Sequence, residues 1–78
     1  MNEENYVINR VDGLIANHQY LHDQTVPKKI KMNVENANEL MESIKRINNF
    51  PAQTVITHFR ESEIVVDSNL NHDDFVIE

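Results

Sequence analysis

At 78 residues, with a formal net charge of −6 and no cysteine, the chain has room for one small domain and cannot staple it with disulfides or thiolate-bound metal. An acidic balance repels phosphate backbones, so direct nucleic-acid binding is not expected. No apolar run reaches the roughly 18–20 residues of a membrane span, and the start Met1-Asn2-Glu3-Glu4 lacks the basic and apolar regions of a signal peptide, so the expected setting is cytoplasmic, with no membrane partner.

Residues 3–22 read as an amphipathic helix. Val7, Ile8, Val11, Leu14, Ile15, His18, Leu21 and His22 recur at i, i+3, i+4 and i+7 and fall on one broad stripe. Asn2 is placed to cap it, with Glu3 and Glu4 set favourably against the helix dipole. Asp12-Gly13 is also a hairpin signal, but Leu14-Ile15-Ala16-Asn17 lacks the period of two that flanking strands require. The stripe has two uses: to cover a sheet, or to pair in part with a second copy of the chain.

Asp23, Gln24, Thr25 and Pro27 mark a loop, and residues 28–32 then alternate as a strand. Ile30 and Met32 point one way, Lys29 and Lys31 the other; lysines of this kind suit an exposed sheet edge. Residues 34–48 form the second helix, on the spacing of Val34, Ala37, Leu40, Met41, Ile44 and Ile47. Asn33 or Asn36 caps it, and Asn36 with Glu39 resembles a capping box. Pro51 stops it and biases Phe50 towards extended backbone.

Residues 54–59 and 63–67 are rich in strand-forming residues, and Arg60-Glu61-Ser62 joins them as a hairpin. The Asn- and Asp-dense run from Ser68 to Asp74 is a turn, and residues 75–77 add a short last strand. The predicted fold is α+β: a small two-layer domain spanning 1–78, in the order α-β-α-β-β(-β), with both helices on one face of a mixed or antiparallel sheet.

Charge divides in sequence order. Residues 1–25 carry four acids and one base, 26–60 three acids and six bases, and 61–78 six acids and no base, giving −3, +3 and −6. The acids of the last segment interleave with Ile64, Val65, Val66, Phe75, Val76 and Ile77, so they decorate strands and a turn and do not form a disordered tail. On a strand, alternate residues lie roughly 6.6–7 Å apart. That is within a factor of two of the phosphate repeat of one DNA strand, so Glu61, Glu63 and Asp67, with Asp73 and Asp74, are candidate interaction residues for a basic partner.

Other chemistry is sparse. His18 and His22 stack at i, i+4 on a helix and are the weak candidates for a metal, with a third ligand needed from His58, Asp67, His72 or Asp73. His18 packing at the margin of the apolar stripe is the plainer reading. His72-Asp73-Asp74 reads first as a solvated turn. Ser43, Ser62 and Ser68 sit in no nucleophile elbow, and a single glycine leaves no phosphate-cradling loop. No catalytic residue and no cofactor is expected.

The sequence therefore predicts a small acidic non-catalytic protein-binding or regulatory module, a homodimer or other homo-oligomer with a protein partner. Its eleven asparagines suit a phage or mobile-element origin in an AT-rich genome. Two alternatives stand beside it: an acidic DNA-mimic inhibitor of a nucleic-acid-binding protein, and a His-based metal-binding module.

Overall fold

The structure, a computed structural model, describes residues 6–78. The elements are α1 (Tyr6–Leu21), β1 (Lys29–Met32), α2 (Val34–Asn48), β2 (His58–Phe59), β3 (Ser62–Val66) and β4 (Val76–Ile77). The predicted capping by Asn2, Glu3 and Glu4 lies outside the described residues. The strands form one sheet in the order β2-β3-β1-β4. β1 and β3 are parallel, joined by the α2 crossover, while β2–β3 and β1–β4 are antiparallel. The domain is α+β with a mixed sheet, as the order of elements predicts.

Both helices pack on one face of that sheet. Val7, Val11 and Ile15 of α1 and Ala37, Leu40 and Ile44 of α2 close over Ile30, Met32 and Ile64. The alternation predicted for β1 holds, with Ile30 and Met32 buried and Lys29 and Lys31 on the opposite face. Its placement does not. β1 lies inside the sheet, between β3 and β4, and is not an exposed edge. Its lysines belong to the uncovered face of a one-sided sheet, where polar alternation is required of central strands too.

α2 has the predicted bounds, and its ends explain why. Asn33 is the N-cap, with extended backbone, and its Oδ1 accepts from the Asn36 N–H at 2.8 Å. Asn36 is therefore the third residue of the helix and not its cap. At the other end Asn49 takes the left-handed conformation at φ 55°, and Phe50 N–H returns to the Lys45 carbonyl at 2.9 Å. That closes the helix in the way a glycine usually does.

α1 departs more from expectation. Its stripe is buried from Val7 to Ile15 and opens to solvent towards the C-terminal end. Leu14 and His18 are half-buried, Leu21 is 64% exposed, and His22 lies beyond the helix. The helix unwinds through Asp23 and Gln24, both at positive φ. Gly13 sits on the outer face, and a Cβ built there meets nothing within 4 Å. Gly13→Ala thus gains helix propensity without a steric cost and should stabilise the fold by about 0.5–1 kcal/mol, read as a higher urea midpoint with an unchanged slope.

The strands are shorter than or shifted from their predicted ranges. Residues 54–59 contract to His58–Phe59, since Thr54 N–H turns back to the Pro51 carbonyl and Val55 is 81% exposed. Residues 63–67 become Ser62–Val66, because buried Ser62 begins the strand with its Oγ donating to the Pro27 carbonyl at 2.7 Å. The last strand is Val76–Ile77, although Glu78 continues the pairing through backbone bonds to Lys28 and Lys29. The predicted hairpin forms with Arg60 and Glu61 as a two-residue turn, both at positive φ. This is the geometry that suits a twisted hairpin, though it is more often filled by Asn-Gly.

Candidate functional site

The uncovered face of the sheet gathers the most chemistry. Register partners on neighbouring strands share a face, so the pairings can be read as rows across it. The first row runs His58–Glu63–Lys29, from the pairings His58↔Glu63 and Lys29↔Glu63. Glu78 extends it, since its backbone exchanges bonds with Lys29 in both directions. The second row is Val65–Lys31–Val76. Lys31 Nζ also reaches Glu78 Oε2 at 3.1 Å, tying the rows together. This pair is partly exposed, so it adds at most about 1 kcal/mol; it fixes the two side chains more than it stabilises the fold.

The five acids predicted as an interaction set are not brought onto this face together. Glu63 lies within it, flanked by Lys29, and Glu61 occupies the hairpin turn. Asp67 follows the far end of β3, four residues on from Glu63 and so roughly 13 Å away. Asp73 and Asp74 sit in the turn before β4. The acids of that turn serve their own backbone: Asp67 Oδ1 accepts from the Asn69 N–H at 3.0 Å and Asp74 Oδ2 from the Asn71 N–H at 3.2 Å. His72 Nδ1 lies 3.9 Å from Asp73 Oδ1 on the exposed side of the turn.

Folding also brings together much of the charge that the sequence keeps apart. Arg60 pairs with Asp12 of α1 and Lys31 with Glu78, while Lys45 and Glu42, at 2.9 Å, form a local i, i+3 pair within α2. One acidic feature escaped the sequence reading. Glu35, Glu39 and Glu42 are exposed along the outer face of α2 at i, i+4 and i+7. Their spacing was the available signal, masked because the surrounding segment is basic in sum.

His18 and His22 do stack, with ring centroids 4.4 Å apart and planes 30° from parallel. Among the described residues, no group of three or more His, Asp or Glu side chains is placed to hold a metal ion, so the pair gains no third ligand from His58, Asp67, His72 or Asp73. Ser43 and Ser62 are buried, and each hydroxyl is engaged, Ser62 with the Pro27 carbonyl and Ser43 with Arg46 Nη2 at 3.3 Å. Two open clefts, of about 410 and 340 Å³, lie at the α2 C-terminus beside Lys45 and Phe50 and between α1 and the Arg60-Glu61 turn.

Among the described residues, no helix is long and apolar enough to cross a membrane. No protein-family model matches the chain, and no curated protein or solved structure matches it.

Proposed function

We propose that the protein is a small non-catalytic protein-binding module of a regulatory kind, acting through the open face of its sheet. The observation that supports this is charge balance. The central rows of the face carry Lys29 and Lys31 against Glu63 and Glu78, a sum of zero on a chain of net charge −6, with Asp67 at the far margin. Elsewhere the surface is acidic in excess, so a protein of like charge approaches this face at the least electrostatic cost. The second row adds apolar area. Val65 and Val76 flank the aliphatic stem of Lys31, and Val76 is 38% exposed.

The acidic-inhibitor reading requires Glu61, Glu63, Asp67, Asp73 and Asp74 to form one face, and they are divided between the two ends of β3. The metal reading lacks a third ligand among the described residues. Neither has a specific geometric feature in its favour.

The test is a capture experiment from extract of the source organism, run in parallel with wild type and Lys31→Glu. Proteins bound through the open face should fall at least ~10-fold in yield with the variant, since like charges forced together at an interface cost several kcal/mol. An identical set of proteins at identical yield from both baits would sink the proposal.

A further inference from the structure

We infer that the open face is built to receive a second copy of itself, about a two-fold axis running parallel to the strands between β1 and β3. This rests on the reading of that face as the binding surface. The sheet order places two strands on each side of the axis, β2 and β3 against β1 and β4. A rotation about it lays β1 of one copy over β3 of the other and β4 over β2. Because β1 and β3 are parallel and in the register Lys29↔Glu63 and Lys31↔Val65, the rotation sets Lys29 against the partner's Glu63 and Lys31 against the partner's Val65. It also sets Glu78 against the partner's His58. No like charges meet. Self-complementarity under a single rotation is what a two-fold interface demands, because each contact must occur twice.

The sequence offered a different dimer, through the apolar stripe of α1. The structure spends Val7, Val11 and Ile15 on the core, which leaves the open face as the broader surface. Strands of four, two, five and two residues, at about 3.3 Å per residue and about 4.8 Å apart, give a patch of roughly 200 Å² in projection. That is well below the ~800 Å² per partner of a standard stable complex. The dimer is therefore a weak one, with a dissociation constant between roughly 10 µM and 1 mM.

Sedimentation equilibrium from about 10 µM to 1 mM, with a charge swap, decides it. Wild type should show reversible monomer–dimer exchange. Lys29→Glu alone and Glu63→Lys alone should each be monomeric, because each opposes like charges across the axis. An equimolar mixture of the two variants should recover wild-type association as a heterodimer, because the rotation then pairs opposite charges at both contacts. A wild type that stays monomeric at 1 mM overturns the inference, and so does a dimer that either single variant leaves intact. Each variant also places like charges side by side within one sheet, so its melting is recorded first. If either is unfolded, wild type alone gives the answer. In a 1:1 mixture of isotope-labelled and unlabelled protein at 1 mM, filtered NOEs should join Val65 methyls to Lys31 methylenes of the other copy, and their absence overturns the inference. A monomeric wild type whose captured proteins are still lost with Lys31→Glu removes only this inference. The binding-module reading would then stand, with another protein on the face.

Discussion

Asn36→Asp should destabilise the protein by about 3 kcal/mol at pH 7 and by much less at pH 4. Asn36 is fully buried at the third position of α2. Its Nδ2 donates to the His72 carbonyl at 2.6 Å, tying the helix to the turn before β4, and its Oδ1 has no partner among the described residues. Aspartate has the same shape but puts an acceptor where Nδ2 was. Ionised, it faces a carbonyl oxygen in a buried site. Protonated, it can donate to His72 in place of the amide. Burial and the opposed carbonyl both raise its folded pKa above the unfolded value of about 3.9. A raised folded pKa leaves the variant near its full stability below pH 4 and removes that stability as pH climbs through the folded value. A shift of about three units costs about 4 kcal/mol. The positive end of the α2 dipole returns at most about 1 kcal/mol of this to a carboxylate in the first turn, so desolvation wins. The measurement is urea unfolding of variant and wild type at both pH values. A penalty equal at pH 4 and pH 7 would mean that the new carboxyl reaches solvent, and the account of Asn36 as a buried tether would fail. Asn36→Ala supplies the control: it loses the tether, about 1–3 kcal/mol, with no dependence on pH across this range.

The role of Asn36 also marks a limit on what the sequence discloses. A local reading makes it a cap or one half of a capping box, because its neighbours at i−3 and i+3 are all that such a reading can see. Its side chain bonds to a residue 36 positions away. Where the determinants are local, the reading succeeds. α2 is bounded by the side chain of Asn33 and the left-handed backbone of Asn49, both adjacent to its ends, and its limits are as predicted. Where the determinants are distant, it fails in proportion. Residues 54–59 hold enough β-branched side chains to read as a strand, but their extent depends on how much of β3 turns towards them. Pairing there covers His58↔Glu63 and Phe59↔Ser62, with one further bond from Ile64 N–H to the Thr57 carbonyl. α1 shows the same limit in a helix. Leu21 keeps the period of the stripe, yet it is exposed at the end of α1, just before the chain turns away at Asp23 and Gln24.

The candidate site was legible in its parts and not in its assembly. The signs of Lys29, Lys31 and Glu63, and the face each occupies on its own strand, follow from alternation alone. That Lys29 and Glu63 stand side by side follows from a parallel register set by the α2 crossover, across a separation of 34 residues. Lysines on β1 read as edge protection because a strand seen in isolation carries no record of its neighbours. The acidic end changes meaning for the same reason. Summed along the chain, residues 61–78 are a block of −6. In three dimensions Glu63 joins a mixed row, Glu78 joins Lys31, and Asp67 and Asp74 bind their own turn.

How much of the remaining stability rests on the single layer between helices and sheet can be measured at one side chain. Leu40→Ala should cost about 2–5 kcal/mol. Leu40 is fully buried at the centre of the α2 stripe, in the cluster with Ile30, Met32 and Ile64, and no other layer lies behind that sheet to collapse into the space. A chain of 78 residues has about 4–12 kcal/mol in total at 0.05–0.15 kcal/mol per residue. The loss therefore takes a large share of the whole and should be read as a lower urea midpoint with an unchanged slope. Leu21→Ala removes the same atoms from the apolar stripe of α1, but Leu21 is 64% exposed, and its replacement should shift stability by less than about 0.5 kcal/mol. The pair separates burial from periodicity. If the two variants melt together, the apolar stripe of α1 is covered along its whole length, in solution, by something outside the monomer. A cost confined to Leu40 places the core where the sheet lies and leaves the C-terminal end of α1 outside it.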